Sequence, residues 1–145
     1  MADAPFPAIR ALPSWLLGRA AAHGRSLVAD ALATEGLRMW HHVVLSAVRD
    51  LAPVAQADLG RSVGLDPKDL VGILNDLQSA GHVVRAPDPK DRRKNAVSLT
   101  DDGARLLTRC EKAAREANDE LLAPLSTDER DQFMGLLIRI SGTDG

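Results

Sequence analysis

A mainly α fold carrying a small β-wing, a winged helix-turn-helix, is predicted by three observations along residues 54–103. Two short helical stretches meet across a turn containing Gly64, and two β-prone runs, HVVRA and NAVSL, follow them. Between those runs lies PDPKDRRK, a proline- and charge-rich connection. Two helices joined by a short glycine-containing turn are the helix-turn-helix signature. A charged ribbon directly after it is a wing, whereas a solvated hairpin elsewhere in a chain would carry no such meaning.

Taken in order, residues 1–13 hold three of the eight prolines and read as an extended arm. Pro13 or Ser14 then starts a helix to about Thr34, with Leu16, Leu17, Ala20, Leu27, Val28, Ala31 and Leu32 on or near an apolar stripe, and Gly36 closes it. A second helix is predicted from Leu37 to Leu51, where Leu37, Trp40, Val44, Val48 and Leu51 recur every three or four residues and Pro53 stops the run. Both are apolar over more than half their circumference, as in helices packed on two sides.

The helix-turn-helix follows. Its first helix, Gln56 to Val63, must stop at Gly64. Asp66 can cap the second, and Pro67 at its first position needs no donor there. Leu70, Ile73, Leu74 and Leu77 keep helical spacing, and Gly81 after Ala80 reads as a left-handed stop. Pro87 and Pro89 cannot donate to a ladder and so are expected in the ribbon's connection. Beyond the ribbon, Thr100 can cap a helix to about Leu122 with Asp101 and Asp102 in its first turn, where negative charge suits the dipole. Leu107, Cys110, Ala114, Ala117 and Leu121 form its stripe. Pro124 interrupts, and the capping box from Ser126 to Glu129 opens a last helix bearing Phe133, Met134, Leu137, Ile138 and Ile140.

A chain of 145 residues suits one domain, with 45% apolar and 26% charged residues, ordinary values for a globular protein. No run approaches the length of a membrane helix. The start, MADAPFPAIRALP, lacks a basic stretch leading into an apolar core, so no export signal is read. A single cysteine excludes an intramolecular disulfide framework and fits a reducing, cytoplasmic setting. The net charge of −2 alone argues against a nucleic-acid partner. Its distribution argues the other way: residues 85–94 hold five Lys and Arg against two Asp, whereas residues 95–145 hold six basic and ten acidic residues. A positive tip on an otherwise acidic chain suits a phosphate-facing ribbon joined to a scaffold.

On these residues the chain resembles the multiple antibiotic resistance regulator (MarR) family of winged helix-turn-helix transcription factors. The family's wing pattern, Asp-x-Arg-Asp-x-Arg, falls on Asp88, Lys90, Asp91 and Arg93, with Lys in place of the first Arg. The following LTDDG matches the family's exit into a long helix. The resemblance is specific over roughly fifty residues around the wing and follows element order over most of the chain. It implies a single MarR-like domain over residues 1–145: an N-terminal arm and helices (1–52), the winged module (53–100) and C-terminal helices (101–145). The N- and C-terminal helices would build a homodimer. Symmetry supplies the reason, since a dimer sets two reading helices in successive major grooves of double-stranded DNA on a pseudo-palindromic operator.

The expected DNA contacts are Gln56, Pro67, Lys68, Asp69, Val71, Arg85, Lys90, Asp91, Arg92, Arg93 and Lys94. By resemblance, Asp91 pairs with Arg93 and points its guanidinium into the minor groove, while Arg85, Lys90, Arg92 and Lys94 meet phosphates. Lys68 is the one cation on the reading helix. Asp69 either accepts from a cytosine amino group or only strengthens the helix cap. Family members often place Ser, Thr and Arg where this chain has Asp69, Val71 and Gly72. The family is also typically responsive to a small-molecule effector, for which Trp15, His23, Met39, Trp40, His41 and His42 are the candidate lining residues. For Met39 and Trp40 a core position is the stronger reading, and adjacent His41 and His42 cannot share a helix face. No His pair at i, i+4 and no Cys–His partnership is present, so no metal site is read. Cys110, on an apolar stripe, reads as a buried thiol.

No nucleophile–base spacing, phosphate loop or metal motif supports an enzyme, and no cofactor is implied. The rival reading is a winged-helix protein-interaction module that has lost DNA binding. The substituted reading helix favours that rival and the wing charges oppose it.

Overall fold

The structure, a computed structural model, describes residues 6–143. Its element order is α1 (Pro7–Arg10), α2 (Pro13–Ala33), α3 (Met39–Leu51), β1 (Val54–Ala55), α4 (Gln56–Val63), α5 (Pro67–Ser79), β2 (Val83–Pro87), β3 (Asn95–Leu99), α6 (Asp101–Leu121) and α7 (Thr127–Ser141). The strands form one antiparallel sheet in the order β1-β3-β2. The expected class, mainly helical with a small β-wing, is what the chain forms.

Among the described residues, 28–114 make one unit, and 6–27 with 115–143 make another. The first holds the core. Leu32, Val44, Leu45, Val48, Leu59, Leu70, Leu74, Leu77, Val83, Val97, Leu106, Leu107 and Cys110 are all nearly or wholly inaccessible. They come from several helices and two strands, so the reading helix and the ribbon are fastened to one apolar centre. The second unit is built differently. Among its described residues only Ala117 is a buried hydrophobic, whereas Phe6, Ile9, Leu12, Leu16, Leu17, Met134, Leu136, Ile138 and Ile140 are exposed. Gly24 lets Leu121 approach, since a Cβ there would lie 3.0 Å from its Cδ2. Arg130 ties the α6–α7 turn by donating to the carbonyl of Leu122 at 3.2 Å.

The helix ends follow their side chains. Gly64 and Gly81 take the left-handed conformation, with φ of 75° and 81°, which favours glycine. The Asp66 carboxylate accepts from the backbone N–H of Asp69 at 2.9 Å and opens α5. Ser126 and Glu129 form the reciprocal capping box at the start of α7.

Four expectations need correction, and one strand is an addition to them. The arm expected over residues 1–13 contains α1, because Pro7 sits at a first helical position where it lacks no bond; residues 1–5 lie outside the described residues. Helix α3 begins at Met39 rather than Leu37, since Arg38 has extended backbone and forms its N-cap. Its buried stripe is His41, Val44, Leu45 and Val48, which leaves Met39, Trp40 and Leu51 on the open side, 40%, 44% and 45% accessible in this chain. Pro87 is the last residue of β2, opposite Asn95, where an edge strand tolerates a missing donor. Strand β1, two residues long and paired through Val54–Val97 and Ala55–Ala96, was not expected.

Candidate nucleic-acid interface

The ribbon tip is shaped by its own backbone. The Asp88 N–H donates to the Lys94 carbonyl at 2.8 Å, and the Lys94 N–H donates to the Asp91 carbonyl at 3.0 Å. Asp88 and Asp91 close the turn from within: their carboxylates accept from the N–H groups of Lys90 at 2.8 Å and Arg93 at 3.1 Å. Such Asx contacts are why Asp suits these positions.

Asp91 also reaches the Arg93 side chain. Oδ1 accepts from Nε at 3.1 Å and Oδ2 from Nη2 at 3.4 Å. The Arg93 side chain is 91% accessible and that of Asp91 only 30%. The carboxylate thus sits in the turn and aims the guanidinium outward. Hydrogen bonds from the Arg93 side chain and backbone hold Asp91 below the usual carboxylate range, with a smaller contribution from the charge of Lys94. Lys90, Arg92 and Lys94 are exposed around it, making the tip a cationic finger.

The reading helix α5 buries Leu70, Ile73, Leu74 and Leu77 and exposes Pro67, Lys68, Asp69, Val71 and Gly72. Gln56 opens α4 and is half-buried. An apolar cavity of about 440 Å³ lies between α4, the start of α5 and the tip end of β3. Gln56, Gly60, Leu65, Pro67 and Val71 line it, together with Lys94 and with Arg61, whose guanidinium is paired with Asp58.

Arg85 is placed away from the tip. Its Nε donates to Gln78 Oε1 and its Nη2 to Asn75 Oδ1, both at 2.6 Å. Asn75 and Gln78 lie on the exposed face of α5 and were missed in the sequence. Their signal was their spacing: Lys68, Val71, Asn75 and Gln78 follow one face of the helix.

The candidate effector residues are distributed over both units. In the terminal-helix unit, the guanidinium groups of Arg10 and Arg19 lie over the Trp15 ring, 4.9 and 5.1 Å from its centroid, and His23 is exposed along the same helix. In the winged unit, His41 is 5% accessible. Its Nδ1 accepts from the Arg38 N–H at 3.1 Å, and its Nε2 lies 2.9 Å from Asp76 Oδ2. Because the backbone donor needs an acceptor, the neutral ring carries its proton on Nε2 and donates it to Asp76. Met39 and Trp40 are open to solvent in this chain. Burial pulls His42 below the ordinary imidazole range, against the raising pull of the Glu111 carboxylate. Among the described residues no group of three or more His, Cys, Asp and Glu could hold a metal ion. No helix among them is long and apolar enough to cross a membrane.

A helix-turn-helix whose second helix keeps an open polar face, followed by an arginine-tipped ribbon, defines a winged helix-turn-helix protein. Comparison with known proteins narrows this, and the chain belongs to the MarR family, whose profile matches residues 35–94. The HTH-type transcriptional repressor NicR of Pseudomonas putida is 35% identical over 102 residues, covering 70% of this chain and 65% of NicR. The match therefore spans just under two thirds of that repressor. Wild-type apo MarR of E. coli superimposes with a TM-score of 0.78 at 25% identity, over 89% of this chain and 96% of that one. The Mycobacterium tuberculosis MarR family protein Rv2887, solved in complex with DNA, gives 0.78 at 28% identity over 90% and 98% of the two chains. Rv2887 has also been solved with p-aminosalicylic acid, and that structure gives 0.73 at 27% identity over 90% and 99%.

Proposed function

We propose that this protein is a sequence-specific double-stranded DNA-binding transcriptional regulator, acting as a homodimer and repressing by occupying a pseudo-palindromic operator. It works by binding rather than catalysis, in the cytoplasm. The observation that carries the reading is the wing tip, where a turn-bound Asp91 directs an almost fully accessible Arg93 away from the protein. A planar cation held in this way suits a narrow minor groove, where negative potential is enhanced. Lys90, Arg92 and Lys94 would meet phosphates, while Gln56, Pro67, Lys68, Asp69 and Val71 face the major groove.

The dimer is supported by the terminal helices. A unit with one buried hydrophobic residue and nine large exposed ones among its described residues lacks a core of its own, and a second copy would cover it through a two-fold interface. The effector is a small planar acid. The apolar cavity beside α5, with Arg61 and Lys94 at its edge, has the chemistry for one, of the kind represented by the p-aminosalicylic acid solved with Rv2887. Trp15 and His23 in the terminal-helix unit, or Met39, Trp40 and His41 in the winged unit, are the alternative contacts for such a ligand.

A gel-shift titration of the protein against its own upstream DNA tests the reading. Affinity should fall steeply with salt, log K dropping about 0.9 per phosphate contact against log salt. Arg93→Ala should weaken binding by about tenfold or more, on the scale of one lost groove contact, with helicity and dimer intact. A protein-interaction module would show no salt-dependent duplex binding.

A further inference from the structure

Arg85 follows Val83 by two residues on β2, so the two side chains share the sheet face that packs on α5. Val83 is buried in the core there, and Arg85 continues the contact with two hydrogen bonds of 2.6 Å, to Asn75 Oδ1 and Gln78 Oε1. A guanidinium carries donors and no acceptor. Each carboxamide must therefore turn its oxygen to Arg85, because the opposite flip would set NH₂ against N–H. The chemistry of the partner decides the orientation. It leaves the Nδ2 hydrogens of Asn75 directed away from the strand, on the exposed face shared with Lys68 and Val71.

We propose that Arg85 is a positioning residue that locks Asn75 as a hydrogen-bond donor toward DNA, so that Asn75 selects an acceptor edge in the major groove. The proposal rests on the DNA-binding reading above. Guanine presents two acceptors in that groove, N7 and O6. The usual pairing of an Asn with adenine needs the carboxamide oxygen to accept from N6 as well, and here that oxygen is turned to Arg85. The base facing Asn75 is accordingly guanine in preference to adenine. This replaces a phosphate contact by Arg85 with control of specificity. It also gives the reading helix, whose Gly72 has no side chain and whose Val71 has no polar group, a defined polar reader.

Selection of bound duplexes from a randomised library, using the full-length wild type, Asn75→Asp, Arg85→Met and Arg85→Lys, tests the assignment. The wild type should enrich guanine over adenine at one position of each half-site by on the order of tenfold. Asn75→Asp keeps an acceptor for Arg85 but turns a carboxylate oxygen outward, and should move the preference there to cytosine, whose N4 donates. Arg85→Met frees the flip and should bring guanine and adenine to near parity at that position alone. Arg85→Lys, retaining a donor, should restore part of the preference. If Arg85→Met lowers affinity for every sequence alike and Asn75→Asp leaves the profile unchanged, Arg85 is only structural and the proposal is overturned with DNA binding intact. No enrichment by the wild type would overturn the DNA-binding reading and this inference with it. Should Arg85→Met fail to fold, the profile of Asn75→Asp decides.

Discussion

The backbone carbonyl of His82 fills the space in which a side chain on Gly103 would begin: a Cβ at residue 103 would lie 1.9 Å from that oxygen. Thr100 completes the junction. Its N–H donates to the His82 carbonyl at 3.1 Å, its hydroxyl donates to the Gly81 carbonyl at 2.6 Å, and the same hydroxyl accepts from the Gly103 N–H at 3.0 Å. The residues entering the ribbon are thereby fastened to the residues leaving it.

Gly103→Ala should therefore be strongly destabilising. The neighbour is backbone, which cannot rotate away, so the cost should reach or exceed the roughly 1–3 kcal/mol typical of overpacking. The midpoint of a thermal melt followed by circular dichroism should fall by several degrees. A melt indistinguishable from wild type would show that the junction yields freely.

His41→Ala should cost about 2–3 kcal/mol, because it removes a buried ring and two hydrogen bonds, one capping the start of α3 through the Arg38 N–H and one joining α3 to Asp76 of α5. Asp76→Asn keeps an oxygen to accept from Nε2–H and should cost much less. Urea titrations of both variants check this. Equal losses would contradict the assigned tautomer.

Asp91→Ala should weaken operator binding, but less than Arg93→Ala, since it removes the aim of the guanidinium and not its charge. The pH dependence has a definite sign. Arg93 depresses the Asp91 pKa in the folded protein, so the pairing is complete above the ordinary carboxylate range and is lost as pH falls through the lowered value. Titrated by NMR, the Asp91 carboxylate should stay ionised to a lower pH than a free Asp does. A midpoint at or above that of a free Asp would refute the pairing.

Cys110 should resist thiol reagents in the native state. It is wholly inaccessible, and burial, aided by the carboxylate of Glu35, pushes its thiol up from the ordinary range. The thiolate is the reactive form, so labelling at mildly alkaline pH should proceed only in denaturant. Rapid labelling of the folded protein would show that α6 opens.

Much of this architecture is legible in the sequence because punctuation residues act locally. Asp66, Gly64, Gly81 and the Ser126–Glu129 box each set a helix end through bonds spanning a few residues, and these ends fall where expected. The Asp91–Arg93 pairing is legible through resemblance, two residues apart in a recognised pattern. What escapes lies elsewhere. Strand β1 is too short to show alternation and exists only because β3 lies beside it. The bond between His41 and Asp76 spans 35 positions, and the contacts of Arg85 with Asn75 and Gln78 depend on how β2 meets α5. A core position for Trp40 is expected because α3 is apolar over most of its circumference, yet Trp40 lies on the open side. Period alone cannot say which side of such a helix finds a neighbour.

The sheet has two open margins, and both are poor templates for another strand. One is β1, only two residues long. The other is β2, which ends in Pro87 and runs on into a tip of mixed charge. A protruding finger with a continuous free ladder would invite end-to-end pairing with neighbouring molecules. This one offers a truncated margin on one side and a proline-stopped margin on the other. The same features that shape the finger for a charged groove thus protect the protein from polymerising through it.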